Sequence, residues 1–529
     1  MKRLLPLLCA VLVLGAILPA SASAFKYGVT AGEVTSSSAI LWTRAAKSGR
    51  VTLQVATNKR FTRGLKSYRL RAGKSRDLTV QRRVTRLKSG RRYYFRFLRG
   101  RSKSRRGTFV TAPRSSANAT VEFAFTGDTD ATTLKGQRRP HWNNFDVFRR
   151  MRAERNDFNI HFGDTIYSDS EVPGRQKPVA LTRKAKWAKY KTNLGQRKLQ
   201  DLRGSAGFYS HWDDHEFVND FAPGENTFSS ATVNGRTVYR TGVAAFRDYA
   251  PVSYTSRDGI YRSRRWGANV ELFFLDQRSF RSNKASEGGR CDNPPGSGNA
   301  DLAPTAPQTT RNLFGILIPA LRNPAPPACV AAIRDPSRTY LGKRQLGRFL
   351  AAVRKSTARF KVIMNELPIQ QFYALPYDRW EGYEAERQTV LNALSGKVKN
   401  VVFLTTDVHS TLVNDARFQT LEPGGPRNSG ILDITVGPAA TANFELEIDE
   451  SVGAGRGRLV DDLFLEREPP NGPGMRCSEV KTFSYGQVRA TRNRLTITPK
   501  NIQGQTLKQD PSGPSATTAC GPFVLNYTP

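Results

Sequence analysis

Cysteine, histidine, acidic residues and long apolar runs are all scarce in this chain of 529 residues. Five cysteines are too few for a small disulfide-stapled scaffold. With 43 glycines the chain is no collagen. Beyond its first two dozen residues no stretch approaches ~18 uninterrupted apolar residues, so a membrane-spanning helix is not expected. Only 44 Asp and Glu face 82 Lys and Arg, a formal net charge of +38. What is present is the material of a folded protein. A 38% hydrophobic and 10% aromatic composition excludes wholesale disorder. The length exceeds what one core usually serves, so two or more domains are expected.

The first 24 residues have the pattern of an export signal: basic Lys2 and Arg3, an apolar run from Leu4 to Leu18, and the small-residue site Ala22-Ser23-Ala24. The protein is therefore expected outside the cytoplasm, secreted, extracellular or periplasmic, with association to a cell wall as one form of this. Cys9 leaves with the leader. Cys291, Cys329, Cys477 and Cys520 remain, an even set that suggests disulfides in an oxidising compartment. Of the three pairings, the local ones, Cys291–Cys329 and Cys477–Cys520, are favoured because each spans a Pro/Gly-rich region.

Residues 25–113 contain 24 Lys or Arg but only Glu33 and Asp77 as acids. Short alternating runs separated by turn residues recur here, the pattern of a small antiparallel β-sandwich. Its +22 charge is either a solvated face or a contact surface for an anionic polymer or anionic lipid. No base-reading motif accompanies it, so dedicated nucleic-acid recognition is not expected. From about residue 120 to 450 apolar strands alternate with helical stretches, such as 142–155, 340–352 and 384–394, as in a layered α/β domain. A Pro/Gly-rich insertion at about 282–336 is expected to be a long surface excursion. Residues 451–529 are expected to form a loop-rich extension with late strands packing on that α/β domain.

The chemistry sits where the apolar strands stop. Val121–Phe125 runs into Thr126-Gly127-Asp128, Phe158–Phe162 into Gly163-Asp164-Thr165-Ile166-Tyr167, and Gly207–His211 into Trp212-Asp213-Asp214-His215-Glu216. Val270–Leu275 ends at Asp276-Gln277-Arg278, Phe360–Met364 at Asn365-Glu366, and Val401–Leu404 at Thr405-Thr406-Asp407-Val408-His409. Ligands of open α/β sheets collect beyond the carboxyl ends of strands. Carboxylates crowded there raise one another's pKa unless cations separate them, and oxygen ligands with one or two imidazoles suit Fe, Mn, Ca or Mg. Of the five histidines, His161 and His211 read as hydrogen-bonded core residues and His141 as a helix start. His215 and His409, flanked by Asp214 and Asp407, read as functional.

The ordered set resembles the PhoD-type alkaline phosphatases of the calcineurin-like metallophosphoesterase superfamily. Phe25-Lys26-Tyr27-Gly28-Val29 with Leu41-Trp42-Thr43-Arg44 is similar to the opening of that family's N-terminal domain. His161 to Tyr167, Trp212 to Glu216 followed by Asn219, Asp276 to Arg281, Asp378 to Tyr383 and Thr406 to Ser410 follow in the family's order. The resemblance implies an immunoglobulin- or fibronectin-III-like sandwich followed by a four-layer α/β/β/α metallophosphoesterase domain. It also implies a site of two or more metal ions, Fe3+ and Ca2+, with a tyrosine and a cysteine among the iron ligands. Tyr167 matches the tyrosine, whereas Asp128 stands in the cysteine position. A hard carboxylate there favours Mn2+ as the alternative.

On this basis Asp128, Asp164, Tyr167 and His409 are expected to hold one metal, with Asp164 bridging to a second that Asp214, Asn219 and Asp407 complete. His215 is expected to orient or protonate, and Asn365 with Arg278 to stabilise the equatorial oxygens. The expected function is hydrolysis of phosphate esters by a metal-bound hydroxide. Two alternatives stand beside it: a phosphodiesterase or phospholipase D-type hydrolase on the same metals, and a basic polymer-binding protein with an inactive site.

Overall fold

The structure is a computed structural model that describes residues 24–509 and 519–529; the leader, up to residue 23, lies outside the described residues. Its centre is three strands, Val121–Thr126, Phe158–Phe162 and Gly207–His211, whose side chains are almost all buried. Burial on both faces is what continuous apolar runs require, and it goes with parallel pairing. Ile160 lies opposite Phe125 on one side and Tyr209 on the other, both in parallel register.

This trio is the middle of a nine-stranded sheet. The N-terminal strands Val29–Gly32, Ala39–Arg44 and Thr79–Val84 extend it on one side, joined in parallel where Ala31 meets Gly207. The C-terminal strands Ser484–Ala490, Arg494–Asn501 and Phe523–Asn526 extend it on the other, with Val488 opposite Phe123. The basic N-terminal segment is thus β-rich, and one of its sheets continues into the sheet that carries Asp128 and Asp164. Its other strands, Gly49–Ala56, Lys66–Ala72, Arg92–Arg99, Ser102–Lys103 and Gly107–Val110, form a separate five-stranded sheet.

A second mixed sheet has seven strands. Val270–Phe274, Phe360–Asn365, Val401–Thr405 and Arg427–Thr435 run parallel. Arg262–Trp266 closes one edge antiparallel, and Thr411–Gln419 with Cys477–Glu479 closes the other. One core holds residues of both large sheets, among them Phe123, Phe125 and Ile160 with Leu272, Val362 and Leu404. A second packs Val147, Phe148, Leu202 and Phe246 of helices Asp146–Ala153, Arg197–Ser205 and Gly235–Tyr249 against Ala124 and Phe208. A third packs Phe349, Val390 and Leu391 of helices Lys343–Lys355 and Glu384–Leu394 against Phe273, Ile363 and Phe403.

The disulfides Cys291–Cys329 and Cys477–Cys520 are both present. The insertion differs from the surface excursion that its composition suggests. It carries helices Gln308–Phe314 and Pro327–Arg334, buries Ala303 and Leu321 in a shared apolar cluster, and seats Arg311 on Asp301 at 2.7 Å inside the protein. Its prolines and glycines turn the chain; the few apolar residues between them do the packing. Among the described residues no helix is long and apolar enough to cross a membrane.

Candidate metal centre

Parallel register brings the strand ends level, so the loops after them meet at one edge. The approach is close. A Cβ on Gly127 would sit 2.5 Å from the Phe162 carbonyl oxygen, and one on Gly437 would sit 2.6 Å from Asp128 Oδ2. The loops turn so sharply that Asp128, Asp164, Asp407 and His409 all take left-handed backbone conformations, with φ of 62°, 45°, 71° and 54°. Such conformations cost about 1–3 kcal/mol each and persist where the surroundings impose them. Here they swing side chains off the strands into one cluster.

Asp128, Asp164 and His409 offer ligand atoms that all lie within 4.8 Å of one another, as do Asp164, Asp214 and His215, and Asp164, Asp213, Asp214 and Asp407. Asp164 is common to all three groups. Tyr167, buried, places its hydroxyl 2.7 Å from His409 Nε2, and Glu447 meets His409 Nδ1. The backbone N–H of His215 donates to Asp164 Oδ1 at 3.0 Å, and that of Asp407 to Asp128 Oδ1 at 3.3 Å.

The donor set fits cations. Asp128 Oδ2, Asp164 Oδ2, Asp213 Oδ2 and Asp214 Oδ1 are buried without a hydrogen-bond partner. Orphaned carboxylate oxygens are costly unless something positive meets them. Burial, and then Asp214 and Asp213, push the Asp164 carboxyl far up. Burial also drives Asp128 up to about 7, although His409 opposes the rise. Burial pushes the His409 imidazole down, but Glu447, Glu171 and Asp128 raise it to about 10. The protein alone thus holds more acidic groups here than it neutralises, and the donors are carboxylate oxygens with one or two imidazole nitrogens, a set that suits Fe or Mn as well as harder ions.

Not every expected residue reaches the cleft. Asp164, Asp214, His215, Asn219, Asp407 and His409 line a cavity of about 500 Å³. His215 stacks on the Tyr167 ring at 4.0 Å, its Nδ1 is 2.7 Å from Asp169 Oδ1, and its Nε2 lies 3.7 Å from Glu171. Arg278 is fully buried, with Nη1 on Asp378 at 2.7 Å, Nε on Asp213, and Nη2 3.5 Å from Asp407 and 3.8 Å from Asp214. It lies among the carboxylates and braces them. Asn365 is not brought to the site. Its Oδ1 accepts from Gln277 at 2.8 Å and from Trp380 at 3.2 Å, and its Nδ2 donates to the Leu367 carbonyl. The expectation that Asn365 meets phosphoryl oxygens fails because those groups engage its amide inside the fold.

Sequence reasoning missed Asp213, Glu171, Asp220, Asp378 and Glu447 as members of the cluster. Asp213 and Glu216 stand inside the motif around Asp214, and Asp378 opens another. Glu216 accepts from the Thr165 and Asp213 backbone N–H groups, tying two loops together. His161 and His211 are core residues as expected: His161 bonds Thr129, and His211 bonds Glu366 at 2.9 Å and Arg262 at 3.2 Å.

The two packed mixed sheets with an acidic centre at their strand ends place the chain in a known structural class. A purple acid phosphatase from yellow lupin (Lupinus luteus) seeds is similar, with TM-score 0.53 at 11% identity over 91% of this chain and 73% of that one. The fold is metallophosphoesterase-like. A structure of PhoD matches more fully, with TM-score 0.70 at 18% identity over 96% of this chain and 90% of that one. A family model for PhoD-like phosphatases matches residues 132–497, and one for their N-terminal domain matches residues 15–113. The chain belongs to the PhoD-like phosphatase family. Alkaline phosphatase D of Bacillus subtilis (strain 168) is 24% identical over 429 residues, 73% of this chain and 64% of that protein. The match therefore spans a little under two thirds of that relative's length.

Proposed function

We propose that the protein is a secreted, metal-dependent phosphatase that hydrolyses phosphate esters at the strand-end centre. One observation carries this: four buried, unpartnered carboxylate oxygens converge around Asp164, within the three ligand groups that share it. Asp128, Asp164, Tyr167 and His409 would hold one cation, and Asp164 with Asp214, Asn219 and Asp407 a second. Fe3+ with Ca2+ is one assignment; Mn2+ is the other, favoured by the carboxylate of Asp128 where relatives of this type are expected to carry a thiolate. When bound, the cations supply positive charge for the phosphoryl group and make water a usable nucleophile near neutral pH.

The remaining work falls to the chain itself. Asp169 accepts from His215 Nδ1–H; burial lowers the imidazole's pKa, but Asp169 and Asp214 raise it. Nε2 then faces the cleft as the donor for the leaving oxygen. Arg278 acts as a positioning residue, holding Asp213, Asp214, Asp378 and Asp407 in place. We read the stacked layers as an α/β/β/α domain over about 120–450, preceded by an immunoglobulin-like sandwich over 25–113 and followed by the extension 451–529. The leader pattern and the two disulfides support export to an oxidising compartment.

The test is to strip the purified mature protein of metals and assay phosphate monoesters and diesters with single cations restored. Turnover is expected to return only with metal, and Asp164→Ala is expected to lose it while keeping its circular dichroism. Full activity in that variant would remove the bridging role, and metal-independent turnover would sink the proposal.

A further inference from the structure

A second cavity, of about 380 Å³, opens beside the acidic cleft. The two share the lining residues Leu375, Arg379, Val408, Phe444, Ile448 and Ser451. Every lining side chain of this chamber is aliphatic or aromatic except Arg379 and Ser451, and both of those lie on the shared rim. Its walls come from the insertion (Leu302, Leu317, Leu321), the segment ending at Arg379, and the residues from Phe444 to Leu465.

The rim is built to be amphiphilic. Helix Phe444–Val452, capped by Asn443 on the Leu446 N–H, stands between the two spaces. Phe444, Ile448 and Val452, four residues apart and so on one face, line the chamber, while Glu447 and Glu450 line the cleft. Leu375 is held 51% exposed at the mouth with φ of 50°. Arg379, 8% exposed, lies over the Phe372 ring at 4.8 Å, with Nη2 3.5 Å from Glu381. Its Nε and Nη2 make no hydrogen bond; Glu381 supplies one nearby negative charge, and the two donors remain available to an anionic oxygen.

We infer that this chamber is the subsite for the hydrocarbon portion of the substrate, so that preferred substrates are phosphate esters bearing an alkyl chain. This deepens the proposed phosphatase reading and rests on it. The phosphoryl group sits in the acidic cleft, Arg379 takes an anionic oxygen at the junction, and the chain passes over Leu375 into the apolar space. An apolar cavity of this kind offers water few partners and gains from every methylene that fills it. Its size falls within the range of ordinary ligand pockets.

Two readouts on the metal-loaded protein test it. The first is kcat/KM for p-nitrophenyl n-alkyl phosphates from methyl to octyl, each below its micellar concentration. The second is calorimetric binding of the matching n-alkylphosphonates. Both are expected to improve about fourfold per methylene until the chamber is full. Leu317→Trp, which fills the space from the insertion side, is expected to cut the octyl-to-methyl ratio at least tenfold, and Leu317→Ala to move the plateau to longer chains. Ratios cancel any loss of folded protein. A series flat with chain length, or an unchanged ratio in Leu317→Trp, overturns the inference. Failure to turn over any ester with any cation would instead strike the phosphatase proposal, while phosphonate binding would still decide the chamber.

Discussion

At the residue scale, the centre depends on backbone geometry as much as on its ligands. Gly437 has φ of 139°, and a Cβ there would meet Asp128 Oδ2 at 2.6 Å. Gly437→Ala is therefore expected to displace the Asp128 carboxylate and weaken metal affinity by about 10–100-fold, the scale at which a ligand's support matters. Metal content after dialysis against graded chelator reads this directly, and wild-type retention would show that Asp128 is not a ligand. Asp128→Cys addresses the same atom from the other side. A thiolate is expected to shift the preferred cation toward iron, read by elemental analysis of protein loaded from a metal mixture; an unchanged profile rejects the assignment. His215 stands apart because its role is proton transfer. His215→Gln is expected to lower kcat by about 10²–10⁴ for esters with basic leaving groups and far less for activated ones, steepening the dependence on leaving-group basicity, with bound metal unchanged.

At the element scale, strands were the most legible part of the sequence. Phe158–Phe162 and Val401–Thr405 are buried along their whole length, so their apolar runs mark them without regard to tertiary context. The acids that end them are legible for the same reason, although Asp276, directly after another such run, serves the fold by accepting from Trp212, Ile260 and Ser279. Pairing order is not written locally: no pattern in Val29–Gly32 says that Ala31 lies beside Gly207. Helix Phe444–Val452 was hidden because Glu445, Glu447, Asp449 and Glu450 resemble a solvated face, whereas Glu447 reaches His409. Asn365 misled because a polar residue at a strand end looks the same whether it faces a cleft or the inside of the fold.

Joining elements also titrate. Asp77, one of two acids in the basic segment, pairs with Arg44 at 2.9 Å and Lys191 at 3.2 Å and accepts from the Tyr249 hydroxyl. Burial pushes its carboxyl up, but the Arg44 and Tyr249 hydrogen bonds and the nearby cations hold it below the usual value. A depressed carboxyl contributes stability above its unfolded pKa of about 3.9 and loses it as pH falls through the lower folded value. Asp77→Asn is expected to cost about 1 kcal/mol near pH 7, with the gap to wild type closing below about pH 4. Equilibrium or kinetic unfolding against pH measures it. A gap independent of pH would mean that the contact is steric.

At the scale of the whole molecule, a chain with net charge +38 gathers a cluster of buried acids at one edge of two sheets. The rest of each sheet is apolar and close-packed, as where Phe123 stacks on Phe158 with centroids 4.8 Å apart. Stability is therefore unevenly distributed. The strands rest on hydrophobic cores that need no cation, while the loops beyond them combine left-handed backbone with crowded carboxylates. Ligands that bind only the folded state stabilise it by mass action, about 3–4 kcal/mol at 100–1,000 times the dissociation constant. Removing cations is thus expected to loosen one region rather than the fold. In hydrogen exchange, residues 127–130, 163–168, 212–216 and 406–409 should lose protection on chelation and regain it with metal, while Phe158–Phe162 and Val401–Thr405 stay protected throughout. The same loops in Asp164→Asn should stay unprotected whether or not metal is added. If chelation instead opened the central strands together with the loops, the cations would be holding up the cores as well. If chelation changed nothing, the acidic cluster would be self-sufficient and the metal reading would fall with it.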